Sequence, residues 1–226
     1  MSGGADIARE ILSDLCTANL RPKSCSRHLR SYSCLKMKAL QPVEVPVRGA
    51  QVWPLSVAAY HALGEAGLIP KRTELLYGFA YHKLSKSPFH SFLLQFLHEI
   101  LLRALSPGHT VRTEQPITCP DSEPEPDLSV VKGVKEDFRQ KHPHTAELVV
   151  EICVSSHEYD RAKLRAYASA GVEECWLVLG PEKQIEVHRG PSGDRFHENF
   201  VHGPGGRLIS AIVPEFSVEL DALFAK

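Results

Sequence analysis

Glu147-Leu148-Val149-Val150-Glu151-Ile152-Cys153-Val154 reads as a buried β-strand with a carboxylate in its interior, and Glu125-Pro126-Asp127-Leu128-Ser129-Val130-Val131 precedes it with a second acid at the mouth of another apolar run. An ionised carboxylate inside apolar β structure is costly unless something pairs with it. Two of them in consecutive strands point to a shared cation. Within the wider stretch Pro124–Trp176 the chain then turns helical over Tyr159–Ala170, ends that helix at Gly171, and enters the strand Glu174-Cys175-Trp176-Leu177-Val178-Leu179, where Trp176 is assigned to the core. On the helix, Asp160, Lys163 and Tyr167 follow one another at intervals of three and four, so the three side chains share one face.

Outward from this stretch the signals stay regular. Ser56 precedes an apolar-periodic run closed by Gly67, which predicts a helix of about ten residues. Glu74–Leu84 gives two short strand-like runs broken by Gly78, a hairpin or bulged pair. Ser87-Pro88 opens a longer helix whose predicted apolar face is Phe89, Phe92, Leu93, Phe96, Leu97, Ile100, Leu101 and Leu105. Thr110–Ile117 alternates as a strand does. Gln184–His188, Arg195–Phe200 and Leu208–Ile212 are predicted to complete the sheet, with a short helix closing near Leu220–Phe224.

The chain of 226 residues, 43% hydrophobic and 23% charged, suffices for one sizeable domain. The reading divides it into an N-terminal extension, residues 1–50, and a domain spanning 51–226. Residues 1–20 carry weak helical periodicity, and Arg21–Lys38 is basic with no acid among its residues, either a nucleic-acid-binding arm or a disordered tail. The net charge of −1 and pI near 6.9 exclude a generally basic surface, so any nucleic-acid face is local. Six cysteines at 16, 25, 34, 119, 153 and 175 show no zinc spacing, which suits a reduced, cytoplasmic protein. The twelve histidines form no ligand pattern. No export signal or membrane span is read.

A strand acid, a second strand acid and a lysine on the next helix suit phosphodiester hydrolysis. Asp127 and Glu151, with a backbone carbonyl, would hold a hard dication, Mg²⁺ or Mn²⁺, and Lys163 would orient water or neutralise phosphorane charge. Arg161 or Arg165 could make the phosphate contact in place of Lys163, and Asp160 could serve as a helix cap. Tyr167 is either beside the site or core. Cys153 lacks the companions of a thiol nucleophile, and Gly203-Pro204-Gly205-Gly206 is a turn, without the ending of a phosphate loop.

Pro126-Asp127 followed by Glu151 in a β run resembles the PD-(D/E)xK nuclease superfamily. Within it the chain is similar to the Uma-two family of restriction-endonuclease-like proteins. The likeness is carried by Leu148-Val149-Val150-Glu151, Tyr159-Asp160-Arg161, Lys163, Tyr167-Ala168, Ala170-Gly171-Val172 and Glu174-Cys175-Trp176-Leu177-Val178. Glu74-Leu75-Leu76-Tyr77-Gly78, Ser87-Pro88-Phe89-His90 and Val213-Pro214-Glu215-Phe216 extend it over roughly 52–226. The resemblance implies an α/β fold with a restriction-endonuclease-like core, a mixed β-sheet flanked by α-helices. It implies a site of Asp127, Glu151 and Lys163, with Glu74 approaching the same metal. The superfamily's usual lysine stands two residues after the glutamate, where this chain has Cys153, and the family resemblance implies a lysine supplied from the helix instead. The expected activity is metal-dependent endonucleolytic cleavage of nucleic acid, DNA foremost, with a homodimer as a further expectation. The alternative is a nuclease-fold domain that binds nucleic acid or a partner without turnover, motivated by Cys153 and the unremarkable net charge.

Overall fold

The computed structural model describes residues 53–155 and 157–225. The chain divides into units 1–49 and 50–226. The expected helix within 1–20 and the basic stretch Arg21–Lys38 lie outside the described residues, and all that follows concerns the second unit.

Ser56 accepts the Ala59 N–H at 3.1 Å and opens α1 (Val57–Glu65). The helix closes as expected at Gly67, whose φ of +69° allows its own N–H to reach Gly64 O and the Leu68 N–H to reach Leu63 O. The predicted hairpin forms from β1 (Thr73–Leu76) and β2 (Phe79–His82). Its two turn residues, Tyr77 and Gly78, have φ of 53° and 80°, the left-handed pair that matches strand twist. A Cβ on Gly78 would stand 2.2 Å from Pro54 Cβ, so the turn has no room for a side chain there. The β1 side of this hairpin is buried and the β2 side exposed.

Ser87 caps α2 (Pro88–Ala104) by accepting the His90 N–H, and Pro88 occupies the first helical position. The buried face differs from the predicted one. It runs through His90, Leu93, Leu97, Leu101 and Ala104, while Phe89 and Phe92 are 38% and 48% exposed. The stripe is rotated because His90 is drawn inward by a distant carboxylate, a contact invisible to local apolar periodicity.

Next come β3 (His109–Thr113), β4 (Leu128–Lys132), a 3₁₀ turn at Lys135–Phe138, β5 (Leu148–Cys153), α3 (His157–Ser169), β6 (Glu174–Leu179), β7 (Gln184–Ser192) and β8 (Arg195–His202). These six strands form one sheet in the order β3-β4-β5-β6-β7-β8. Only β5 and β6 are parallel, joined over the sheet by α3, and every other pairing in it is antiparallel. This is the α/β fold with a mixed sheet that the sequence led us to expect. One strand went elsewhere. Leu208–Ile212 does not extend the main sheet; β9 (Arg207–Ile209) pairs only with β10 (Ser217–Glu219), ahead of the short α4 (Leu220–Leu223). Ser210 Oγ accepts the Ile212 and Val213 N–H groups at 3.2 and 3.0 Å, which turns the chain out of strand geometry directly after Ile209.

Strand alternation assigns the two faces. Leu148, Val150, Ile152, Trp176 and Val178 pack with Leu93, Leu97 and Leu101 of α2, and Phe216 stacks on Trp176 with centroids 4.8 Å apart. Val149, Cys153, Cys175 and Leu177 pack on the other side with Ala166 and Tyr167 of α3. Glu151 has the parity of Val149 and Cys153, so its carboxylate projects toward α3. Among the described residues, no helix is long and apolar enough to cross a membrane.

Candidate active site

Asp127 stands one residue before β4. The β4–β5 ladder reaches only as far as Leu128 opposite Val150, so the Ile152 N–H extends past its last backbone partner on that side. Asp127 Oδ2 takes that N–H at 2.7 Å and lies 3.2 Å from His90 Nε2, while Lys86 Nζ approaches Oδ1 at 2.6 Å. Burial alone would raise this carboxyl's pKa. The His90 hydrogen bond and charge and the Lys86 ammonium more than reverse it, holding the group down at about 2.

Glu151 meets a different set of groups on the α3 face. Its Oε1 accepts the Tyr167 hydroxyl at 2.5 Å and lies 3.2 Å from Lys163 Nζ. The same ammonium stands 3.3 Å from Glu74 Oε1 and 3.9 Å from Asp160 Oδ1. Lys163 is only 4% exposed, which overturns the ordinary expectation of a solvated helix lysine. Burial lowers an ammonium's pKa, yet Glu151, Glu74 and Asp160 together raise that of Lys163 above its usual value. Glu151 moves the opposite way: burial pushes it up, Lys163 only partly offsets this, and the charges of Asp127, Asp160 and Glu74 add to it, leaving it at about 8.

Glu74 arrives from the hairpin. The Tyr77 hydroxyl donates to Ala162 O and accepts the Ala166 N–H at 3.1 Å, while Arg165 lies over the Tyr77 ring, so the hairpin is stitched to α3. That docking carries Glu74 to Lys163. Its Oε1 also accepts the Tyr159 hydroxyl at 2.8 Å, and its Oε2 the Glu125 N–H at 2.9 Å. Glu74 therefore contributes to the site chiefly as the second anchor of Lys163.

These groups line one cavity of about 70 Å³. Its wall holds five carboxylates, Glu74, Glu125, Asp127, Glu151 and Asp160, against three lysines, Lys83, Lys86 and Lys163, a formal excess of two negative charges. Burial favours the neutral form of Glu151, which eases that excess, and a dication would answer all of it. Among the described residues no group of three or more His, Cys, Asp or Glu side chains is disposed to cage a metal by itself. Magnesium does not need such a cage, since it keeps several waters and takes one or two carboxylates plus substrate oxygens. Asp127, just before β4, and Glu151, on the adjoining β5, face one small polar cavity and fit that mode of binding.

Asp127, Glu151, Lys163 and Glu74 are thus brought together. The arginine alternatives to Lys163 point elsewhere: Arg161 pairs with Glu186 on β7, and Arg165 with Tyr77 and Asp194. Asp160 stands inside the first turn of α3, buried beside Lys163. Tyr167 is both core and site, fully buried with its hydroxyl on Glu151. Cys153 is fully buried in the α3-side core, its thiol pushed well up by burial and by Asp160 and Glu151, which leaves it unsuited to nucleophilic work. Sequence reasoning missed three residues. Lys86 carried no signal beyond its type, while Tyr159 and His90 were visible only as parts of Tyr159-Asp160-Arg161 and Ser87-Pro88-Phe89-His90.

A family model described as Uma2, putative restriction endonuclease, matches residues 60–222. Among solved structures, the chain is similar to a putative nuclease belonging to DUF820 from Anabaena variabilis ATCC 29413, with a TM-score of 0.62 and 18% identity over 72% of this chain and 97% of that one. At that identity the likeness concerns the fold. No curated protein matches the chain.

Proposed function

The chain belongs to the Uma2 family, described as putative restriction endonucleases, and from that premise we propose a metal-dependent endonuclease that hydrolyses phosphodiester bonds in nucleic acid, DNA foremost. The observation that supports this reading is the convergence of Asp127, Glu151 and Lys163 on one cavity with an excess of negative charge. Asp127 and Glu151 would hold Mg²⁺ or Mn²⁺, which when bound polarises a scissile phosphate and lowers the pKa of a water. Lys163, fixed by Glu151 and Glu74, supplies positive charge where the phosphorane develops. Tyr159 holds Glu74, and Tyr167 holds Glu151, so both acids keep their places while substrate enters. We place the protein in the reducing cytoplasm, consistent with the free buried Cys119, Cys153 and Cys175 among the described residues, and regard a homodimer as the arrangement suited to cutting two strands.

A second reading, a nuclease fold that binds nucleic acid without cleaving it, is favoured by one observation: a lysine already sits on each carboxylate, Lys86 on Asp127 and Lys163 on Glu151. Incubation with plasmid and single-stranded substrates in Mg²⁺, Mn²⁺ or chelator separates the two. Cleavage that needs metal and is lost in both Asp127→Ala and Glu151→Ala is the expected result. Activity undiminished in those variants would sink the assignment, and salt-dependent binding without cleavage in any metal would select the second reading.

A further inference from the structure

We propose that Lys86 is a displaceable counter-ion that competes with the metal for Asp127 Oδ1, and that metal loading sends its ammonium outward to Glu114. This rests on the reading of Asp127 as a metal ligand.

Three relationships carry it. Asp127 Oδ2 is already engaged by the Ile152 N–H and faces His90 Nε2, so Oδ1 is the oxygen open to a further cation, and Lys86 holds it at 2.6 Å. An ammonium and a dication on one carboxylate oxygen would repel each other at close range, so one must yield. The second relationship is that Lys86 has somewhere to go. Its ammonium also bonds Glu114 Oε1, a carboxylate that is 41% exposed against 9% for Asp127. Glu114 is held in place by a left-handed φ of +53° and by its N–H on Asp127 O at 3.1 Å, a conformation uncommon for a residue other than glycine. The third is the contrast with Lys163. That lysine is buried among three acids and cannot leave without abandoning all of them, whereas the Lys86 side chain is 30% exposed on the connection between β2 and α2. Two of the cavity's three lysines therefore divide the work, Lys163 fixed and Lys86 movable.

Calorimetric titration of the full chain with Mn²⁺ tests the competition. Lys86→Met is expected to bind Mn²⁺ roughly tenfold tighter, as one charge-assisted hydrogen bond no longer has to be broken. Lys83→Met is the control for bulk charge, because Lys83 lines the same cavity but is paired with Glu125, and it should change affinity by less than about twofold. Unchanged or weaker binding in Lys86→Met, or an equal gain in both variants, overturns the proposal. Asp127→Asn identifies a failure of the parent reading: if it leaves Mn²⁺ affinity intact, Asp127 is not a ligand. Should Lys86→Met fail to fold, the wild-type protein still answers. Its Lys86 Cε resonance should shift on addition of diamagnetic Mg²⁺, and a resonance that stays put while the metal binds would refute the displacement.

Discussion

Lys163 Nζ lies 3.2 Å from Glu151 Oε1, a contact made from a helix back to the strand that precedes it. On the proposed reading, the ammonium that the superfamily resemblance would put on the strand itself is supplied from α3 across the sheet face. The delivery depends on Glu151 projecting toward that helix and on the hairpin presenting Glu74 to hold the same ammonium from the other side. Remove the lysine, and three buried carboxylates face one another.

Lys163→Met keeps the aliphatic stem and deletes the charge. It should reduce cleavage by about 100-fold or more, the scale of losing one preorganised electrostatic contact. It should also cost about 3–5 kcal/mol of stability above pH 8, where losing that ammonium pushes the Glu151 pKa higher still while the unfolded carboxyl is ionised. At pH 6 the cost should be visibly smaller, because Glu151 already tends to hold its proton there. Urea denaturation at the two pH values, alongside plasmid cleavage, checks both. A stability loss independent of pH would mean that Glu151 is not the acid Lys163 serves.

The Glu151 shift carries its own sign. Its folded pKa of about 8 exceeds the ordinary 4.5, so its contribution to stability is fully present below about pH 4.5 and is lost as pH rises through 8. Glu151→Gln has no such titration and should gain on the wild type steadily across that window, ending more stable at alkaline pH. Tyr167→Phe, which removes the hydroxyl on the same carboxylate, should cost about 1 kcal/mol and act mainly where Glu151 is ionised. Denaturation midpoints measured from pH 4 to 9 test the three proteins together.

Asp127 behaves in the opposite sense. Held down at about 2 against an ordinary 3.8, it contributes stability that is present above about pH 4 and lost as pH falls toward 2. Asp127→Asn should flatten that acid limb. At neutral pH it should also cost about 1–3 kcal/mol, since the amide cannot satisfy Lys86, His90 and the Ile152 N–H at once. An acid limb of unchanged slope would show that another carboxylate carries it.

The readable part of this molecule was the part encoded by period. Glu151 stood out because five apolar neighbours made its carboxylate anomalous, and Asp160, Lys163 and Tyr167 were placed on one face by spacing alone. The sheet followed from the same logic, as did the caps at Ser56 and Ser87. What escaped depended on contacts between segments far apart in the chain. His90 turned α2 away from its most apolar face because Asp127 reaches it across the core, and Lys86 gained its place only once the β2–α2 connection lay over the same carboxylate. Leu208–Ile212 had strand composition, but one serine hydroxyl bound to two backbone N–H groups diverted it. Periodicity registers burial, and it does not register which distant partner does the burying.

Cys153 tests whether the lysine has migrated or the site has retired. It shares the strand face of Glu151 but is fully buried in the core with Cys175, Ala166 and Tyr167, and no cation could be added there without displacing side chains from α3. Restoring the superfamily's position with Cys153→Lys should therefore destabilise the protein by several kcal/mol through overpacking and an added buried charge. It should not rescue the activity of Lys163→Met, because the Tyr167 hydroxyl already occupies Glu151 and Cys153 is packed against Ala166 and Tyr167. If Cys153→Lys with Lys163→Met instead folds well and recovers cleavage, the strand position remains functional and the helix lysine is dispensable. If neither the wild type nor any such variant cleaves, the cavity binds without turnover. The expected outcome, cleavage by the wild type and loss in both single variants, ties the chemistry to a lysine that only the α3 geometry can supply.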